Sequence, residues 1–261
     1  MQLGRMDDVA GCRLIFRDVS KLYHFRSKFL QARFNHRLRN DVEKYDYIKN
    51  PKPSGYRGIH DVYEYDVRSK RGKGLTGLFL EIQYRTLVQH AWATAVEVVG
   101  LITENQPKFQ RGDRQVEFEL VLASEILSRA HEGLSGPVPD IADSALVREF
   151  RRVDLQTGLL RKLRGLNAAR KEISERRNAI LMFKETGTLD VLTYRDSGDA
   201  MRKLFQLEKH LPQLDIVLVR ADRSEDVRLA FKNYFSDARD FIALLESGCN
   251  KLASAKQTLS R

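Results

Sequence analysis

Lys49, Lys52, Arg57 and His60 crowd into a dozen residues around Tyr56, behind a loop stiffened by Pro51 and Pro53. Cations neutralise phosphates and a ring offers its π-face to a base, so the cluster suits a nucleotide. Two carboxylates occupy strand positions elsewhere, Asp8 before one apolar run and Glu81 within another. If those strands are neighbours, the pair could share one Mg²⁺, which takes few protein ligands and leaves room for phosphate oxygens. Gln83 and Arg85 alternate with Glu81 and therefore share its face of the strand. Each residue also has an ordinary reading. Asp8 and Glu81 could be exposed strand charges, Tyr56 half-buried packing, and Lys49, Lys52 and Arg57 a solvated loop. His60 could be a satisfied core histidine, and Arg13, Gln83 and Arg85 structural hydrogen-bond formers.

The elements that must position these residues follow from patterning. Residues 9–16 (VAGCRLIF) read as a mostly buried strand, with Cys12 an inert buried thiol. Residues 18–37 carry apolar positions at helical spacing. Residues 49–55 (KNPKPSG) form a loop, 59–67 a strand, 70–74 (KRGKG) a basic hairpin tip and 75–85 the next strand. Thr86 caps a helix running to about Leu101, with Trp92 in its core face. This order predicts an α/β layer built on a mixed sheet. Beyond it, helices are expected over 115–134 and 144–177, a hairpin over 180–184 and 188–194, and a helix over 199–211. A short buried strand is expected at 216–219. Asp222-x-x-Glu225 resembles a capping box opening a short helix, a last strong helix covers 236–247, and the tail from Cys249 frays.

The chain has 261 residues, with 45 Lys and Arg against 35 Asp and Glu, a net charge of +10. Its 42% hydrophobic content supplies a sizeable core and excludes disordered classes. The basic balance favours a polyanionic partner without choosing one. No apolar stretch approaches the ~20 residues of a membrane span, and no cleavable signal pattern opens the chain. Cys12 and Cys249 stand at opposite ends, which argues against a disulfide framework or a cysteine-built zinc site and makes a reducing cytoplasm the expected compartment.

The strings DYIKNPKPSGYRGIH (residues 46–60) and EIQYRT (81–86), with MDDVAGCR (6–13) before them and HAWATAVEVVG (90–100) after, resemble the synthetase domain of the RelA/SpoT family, the alarmone synthetases. The likeness covers roughly residues 3–105. Residues 215–235 resemble, less firmly, a C-terminal segment of some single-synthetase members. The resemblance implies a nucleotidyltransferase-like α/β domain at 1–105, and the helical periodicity beyond it a helical segment at 106–177. A small α+β module at 178–248 and a tail at 249–261 complete the expected organisation. It also implies an enzyme that, with Mg²⁺, moves the β,γ-diphosphate of ATP onto the 3′-hydroxyl of GTP or GDP, releasing AMP. Position by position, Asp8 matches the metal aspartate, and Glu81 the second carboxylate, which ligates metal or deprotonates the 3′-hydroxyl. Tyr56 matches the ring stacking on guanine, and Lys52 and His60 residues around the acceptor nucleotide and phosphates. Arg57, Lys49, Gln83 and Arg85 complete the candidate substrate-binding set. A toxin-type member that modifies the 3′ end of tRNA, and a catalytically silent nucleotide-binding relative, are the competing readings.

Two departures qualify the match. Only seven residues precede Asp8, where the family has two helices bearing ATP-holding cations, so either the start is called too late or half of the donor site is missing. Tyr45 stands where many members carry lysine. The acceptor preference and the oligomeric state are left open by the sequence.

Overall fold

A computed structural model describes residues 10–67, 69–103, 113–168, 178–183, 189–211, 214–220 and 224–254. Asp8, Asp222 and the tail beyond residue 254 lie outside them.

The fold is mixed α/β. Four strands, β1 (Ala10–Phe16), β2 (Arg37–Leu38), β3 (Ile59–Glu64) and β4 (Phe79–Thr86), form a sheet in the order β1-β4-β3-β2. β1 runs parallel to β4, whereas β3 is antiparallel to both β4 and β2. Helix α1 (Val19–Gln31) starts where the Asp18 side chain accepts the Lys21 N–H at 2.8 Å. It packs Leu22 on Ile59, Tyr63, Ile82 and Tyr84, the apolar face of the sheet. Within this layer the buried Arg26 donates to Asp61 at 2.6 and 3.0 Å and to the Val42 carbonyl at 2.6 Å. β1 is exposed along most of its length rather than mostly buried, and Cys12 is exposed too. The reason is its place at the sheet edge, where β4 is its one strand neighbour among the described residues, which an apolar run cannot reveal.

Thr86 ends β4 and caps α2 (Leu87–Thr103): its Oγ1 accepts the Gln89 N–H, and Gln89 Oε1 accepts the Thr86 N–H, both at 3.1 Å. This is a reciprocal capping box. Helix α3 (Asp113–Leu127) continues as a π-helical turn, Ser128–Glu132, and stops at Gly133 with φ 66°. Where one helix was expected over 144–177, α4 (Asp143–Thr157) and α5 (Leu159–Ala168) are separated at Gly158. Gly158 takes the left-handed conformation at φ 65°, closing α4 through its N–H to Asp154, while Thr157 Oγ1 accepts the Leu159 N–H.

A second sheet, ordered β6-β5-β7, contains β5 (Asn178–Phe183), β6 (Leu189–Tyr194) and β7 (Asp215–Arg220), with α6 (Ser197–His210) packed on it through Ala200 and Leu204. The last helix, α7 (Ser224–Ser254), runs unbroken for 31 residues. It joins the expected short helix to the last one and continues through residues 249–254 of the expected tail, because Ala238, Phe241, Leu245, Cys249 and Leu252 keep one buried stripe going past residue 249. That stripe joins α2, α3, α4 and α5 in the largest core, so helices from three sequence segments share it. Among the described residues no helix is long and apolar enough to cross a membrane.

One carboxylate in that core is costly. Glu119 on α3 is fully buried; Oε2 accepts from Thr157 Oγ1 at 2.5 Å, and Oε1 has no partner. Burial pushes its carboxyl from the ordinary 4.5 up to about 8. From 4.5 to 8 the unfolded chain has released this proton while the folded chain keeps it, so its contribution to stability falls as pH rises. Glu119→Gln is therefore expected to raise the melting temperature at pH 7.5 and to flatten the decline between pH 5 and 8. Parallel pH slopes in thermal melts of both proteins would contradict this.

Candidate active site

The site is built on the sheet face opposite α1. Side chains alternate across a strand, so the Ile82 and Tyr84 that pack on α1 leave Glu81, Gln83 and Arg85 on the other face. The register puts His60 of β3 opposite Gln83, and Gly11 and Arg13 of β1 opposite Glu81 and Gln83. A side chain at Gly11 would crowd the Glu81 backbone at 3.0 Å and stand 3.8 Å from its Cβ, so glycine keeps the flank of Glu81 clear.

These groups form one directed hydrogen-bond chain. Arg85 donates to the Tyr56 hydroxyl at 3.2 Å, Tyr56 bonds His60 Nε2 at 2.6 Å, and His60 Nδ1 bonds Glu81 Oε1 at 2.5 Å. Gln83 Nε2 donates to Glu81 Oε2 at 2.6 Å, and Arg13 Nε donates to Gln83 Oε1 at 3.3 Å. With the proton kept on Nδ1, which donates to the carboxylate, Nε2 is left to accept from Tyr56, the tautomer this network assigns. Every donor then points toward Glu81. The His60 bond, more than any other cause, holds the Glu81 carboxyl below its ordinary value, while burial raises the Tyr56 phenol. The result is an ionised carboxylate whose side chain is 17% exposed.

The loop before β3 is folded back as an irregular hairpin. Its base closes through Tyr47 N–H to the Gly58 carbonyl at 2.9 Å, and its tip through Lys52 N–H to Tyr56 at 3.1 Å and Gly55 N–H to Lys52 at 2.8 Å. Asp46 anchors the entry by accepting the Ile48 and Lys49 N–H groups and the Tyr23 hydroxyl. This fold sets the Lys52 ammonium 4.2 Å from the Tyr47 ring and 5.4 Å from the Tyr56 ring. Tyr47 in turn meets Tyr56 and His60 edge-on, at 5.9 and 5.7 Å.

Thus Glu81, His60, Tyr56, Gln83, Arg85 and Lys52 come together. Two others do not. Lys49 turns to the α1 side, pairing with Glu43 at 3.2 Å and facing the Tyr23 ring across a cleft. Arg57 is 3% exposed and paired with Glu132, so it braces the loop from behind. Tyr47, Asp46 and Glu132 escaped the reading of the sequence. Tyr47 was detectable as a second ring beside the cation cluster. Glu132 left a fainter signal, a carboxylate in a last helical turn, where the helix dipole disfavours it.

Comparison with known proteins bears on the same residues. Residues 2–99 match the family described as the region found in RelA / SpoT proteins. Residues 2–99 are thus similar to a RelA/SpoT region. The chain is 31% identical over 135 residues to the GTP pyrophosphokinase YjbM of Bacillus subtilis, covering 51% of this chain and 58% of YjbM. It is 30% identical over 129 residues to YwaC of the same organism, covering 49% and 56%. The chain thus spans little more than half the length of these relatives. Among solved structures, small alarmone synthetase 1 from Bacillus subtilis, bound to its product pppGpp, is 30% identical over 48% of this chain and 58% of that one, with a TM-score of 0.38.

The RelA/SpoT resemblance implies Mg²⁺. Among the described residues no group of three His, Cys, Asp or Glu side chains could hold a metal. Mg²⁺ does not need one: it is commonly held by one or two carboxylates, with water and phosphate completing the shell. The ionised Glu81, with its flank kept clear by Gly11, fits that mode as a hard oxygen donor. The strand that Asp8 precedes is also the neighbour of the strand bearing Glu81.

Proposed function

We propose that this chain is a magnesium-dependent pyrophosphokinase that moves the β,γ-diphosphate of ATP onto the 3′-hydroxyl of GTP or GDP. The observation that carries this reading is the chain of donors converging on Glu81, which keeps a carboxylate ionised beside an aromatic and cationic loop. Support comes from the distant homology to GTP pyrophosphokinases and from a relative's structure with bound pppGpp.

In the proposed reaction, Glu81 accepts the proton of the 3′-hydroxyl as that oxygen bonds to the β-phosphorus of ATP. The bond between the α,β-bridging oxygen and the β-phosphorus breaks, and AMP leaves. Each carboxylate oxygen keeps a free lone pair beyond its present bond, so His60 and Gln83 orient Glu81 without blocking it. Tyr56 offers its ring to guanine, with Lys52 beside it for phosphate. Among the described residues, buried Arg85 Nη1 has no protein acceptor. Asp8 and Glu81 would hold Mg²⁺, which when bound neutralises charge on the transferring group.

Incubation with labelled ATP, Mg²⁺ and GTP, GDP or tRNA tests the reading. A 3′-diphosphorylated guanosine nucleotide is expected; label on tRNA would favour the toxin-type alternative, and no transfer to any acceptor would overturn both. Tyr56→Ala is expected to weaken guanine nucleotide binding by about 1–3 kcal/mol in calorimetry, the usual worth of a stacked base. Equal affinities would assign the ring to packing.

A further inference from the structure

The RelA/SpoT match ends at residue 99, yet the loop facing Glu81 is held from beyond it. Glu132, in the π-helical turn after α3, has a side chain only 3% exposed, with one oxygen on Arg57 Nη2. Its other oxygen accepts from Thr86 Oγ1 at 2.5 Å and Gln89 Nε2 at 3.0 Å. Further up α3, Ser124 Oγ donates to the Gly55 carbonyl at 2.6 Å. Gly55 has φ +92°, and a side chain there would strike the Trp92 ring at 2.8 Å.

These anchors flank the reactive groups. Gly55 and Arg57 stand on either side of Tyr56, and Thr86 follows Arg85. A buried carboxylate at the unfavourable end of a helix dipole contributes nothing to helix packing by itself and is costly unless paired. Both oxygens of Glu132 are engaged, so it acts through its partners. We infer that Glu132 is a positioning residue for the acceptor side of the site: by fixing Arg57 and Thr86 together it holds the Tyr56 hydroxyl between His60 and Arg85. The nucleotide consequence rests on the function proposed above; the mechanical one does not.

Glu132→Gln keeps the side-chain shape and removes the charge facing Arg57. Amide exchange at Lys52 and Gly55 is expected to quicken about tenfold, as loss of one charge-assisted bond would produce, while β3–β4 amides keep their protection. The KM for GTP or GDP should rise about tenfold with the KM for ATP within about twofold, and Glu132→Asp should restore part of the loss. If Glu132→Gln does not fold, the paired Arg57→Met/Glu132→Met variant, apolar on both sides, should fold and show the same fast loop exchange. Unchanged loop exchange, exchange quickened uniformly across the protein, or equal rises in both KM values would overturn the inference. Fast loop exchange in a protein whose wild type transfers no diphosphate would uphold the positioning role and remove the pyrophosphokinase reading.

Discussion

Glu81→Gln should lower diphosphate transfer by about 10²- to 10⁴-fold, the range for losing a positioned general base, while guanine nucleotide binding stays within a few-fold of wild type. The substitution is nearly isosteric, and its amide oxygen still accepts the His60 Nδ1–H that the carboxylate takes at 2.5 Å. What disappears is the negative charge toward which Arg13, Gln83, His60, Tyr56 and Arg85 are arranged. That charge is needed chiefly as the 3′-hydroxyl gives up its proton, so its loss weighs on the transition state far more than on the bound acceptor. Single-turnover assays with labelled ATP, paired with calorimetry, separate the two effects. Turnover at the wild-type rate would remove Glu81 from the chemistry.

Replacing Arg26 should have the largest effect on stability, about 3–5 kcal/mol for Arg26→Leu, the usual loss when one partner of a buried ion pair is removed. Arg26 lies within the α1 layer with its side chain 4% exposed, bonded to Asp61 at 2.6 Å and 3.8 Å from Asp46. Leucine would leave both carboxylates buried without their cation. Asp46 also anchors the entry to the Lys52–Tyr56 loop through the Ile48 and Lys49 N–H groups, so the damage would reach the site. Arg26→Lys should recover only part of the loss, since one ammonium cannot reproduce the forked contact with Asp61. Urea denaturation measures both, and a midpoint for Arg26→Leu matching wild type would show the pair contributes little.

Features governed by local rules were legible from the residues alone. Strand alternation put Glu81, Gln83 and Arg85 on one face, and hydrogen bonds link all three there. Thr86 caps α2, as its side-chain chemistry requires. Pro and Gly marked the 49–55 loop, and the order of elements implied a mixed sheet. The tertiary structure decided what depends on neighbours far along the chain. Arg57 and Glu132 are 75 residues apart, so the pairing of this loop cation with a buried carboxylate could not be read from the loop. Lys49 faces Glu43 and Tyr23 because α1 packs beneath that end of the loop. The edge position of β1 exposes a run whose composition suggests burial, and the core shared by α2 to α5 and α7 carries the last helix past its expected end. Local propensity depends on a few adjacent residues, whereas burial and charge pairing depend on which surfaces meet, and that is settled only when the whole core assembles.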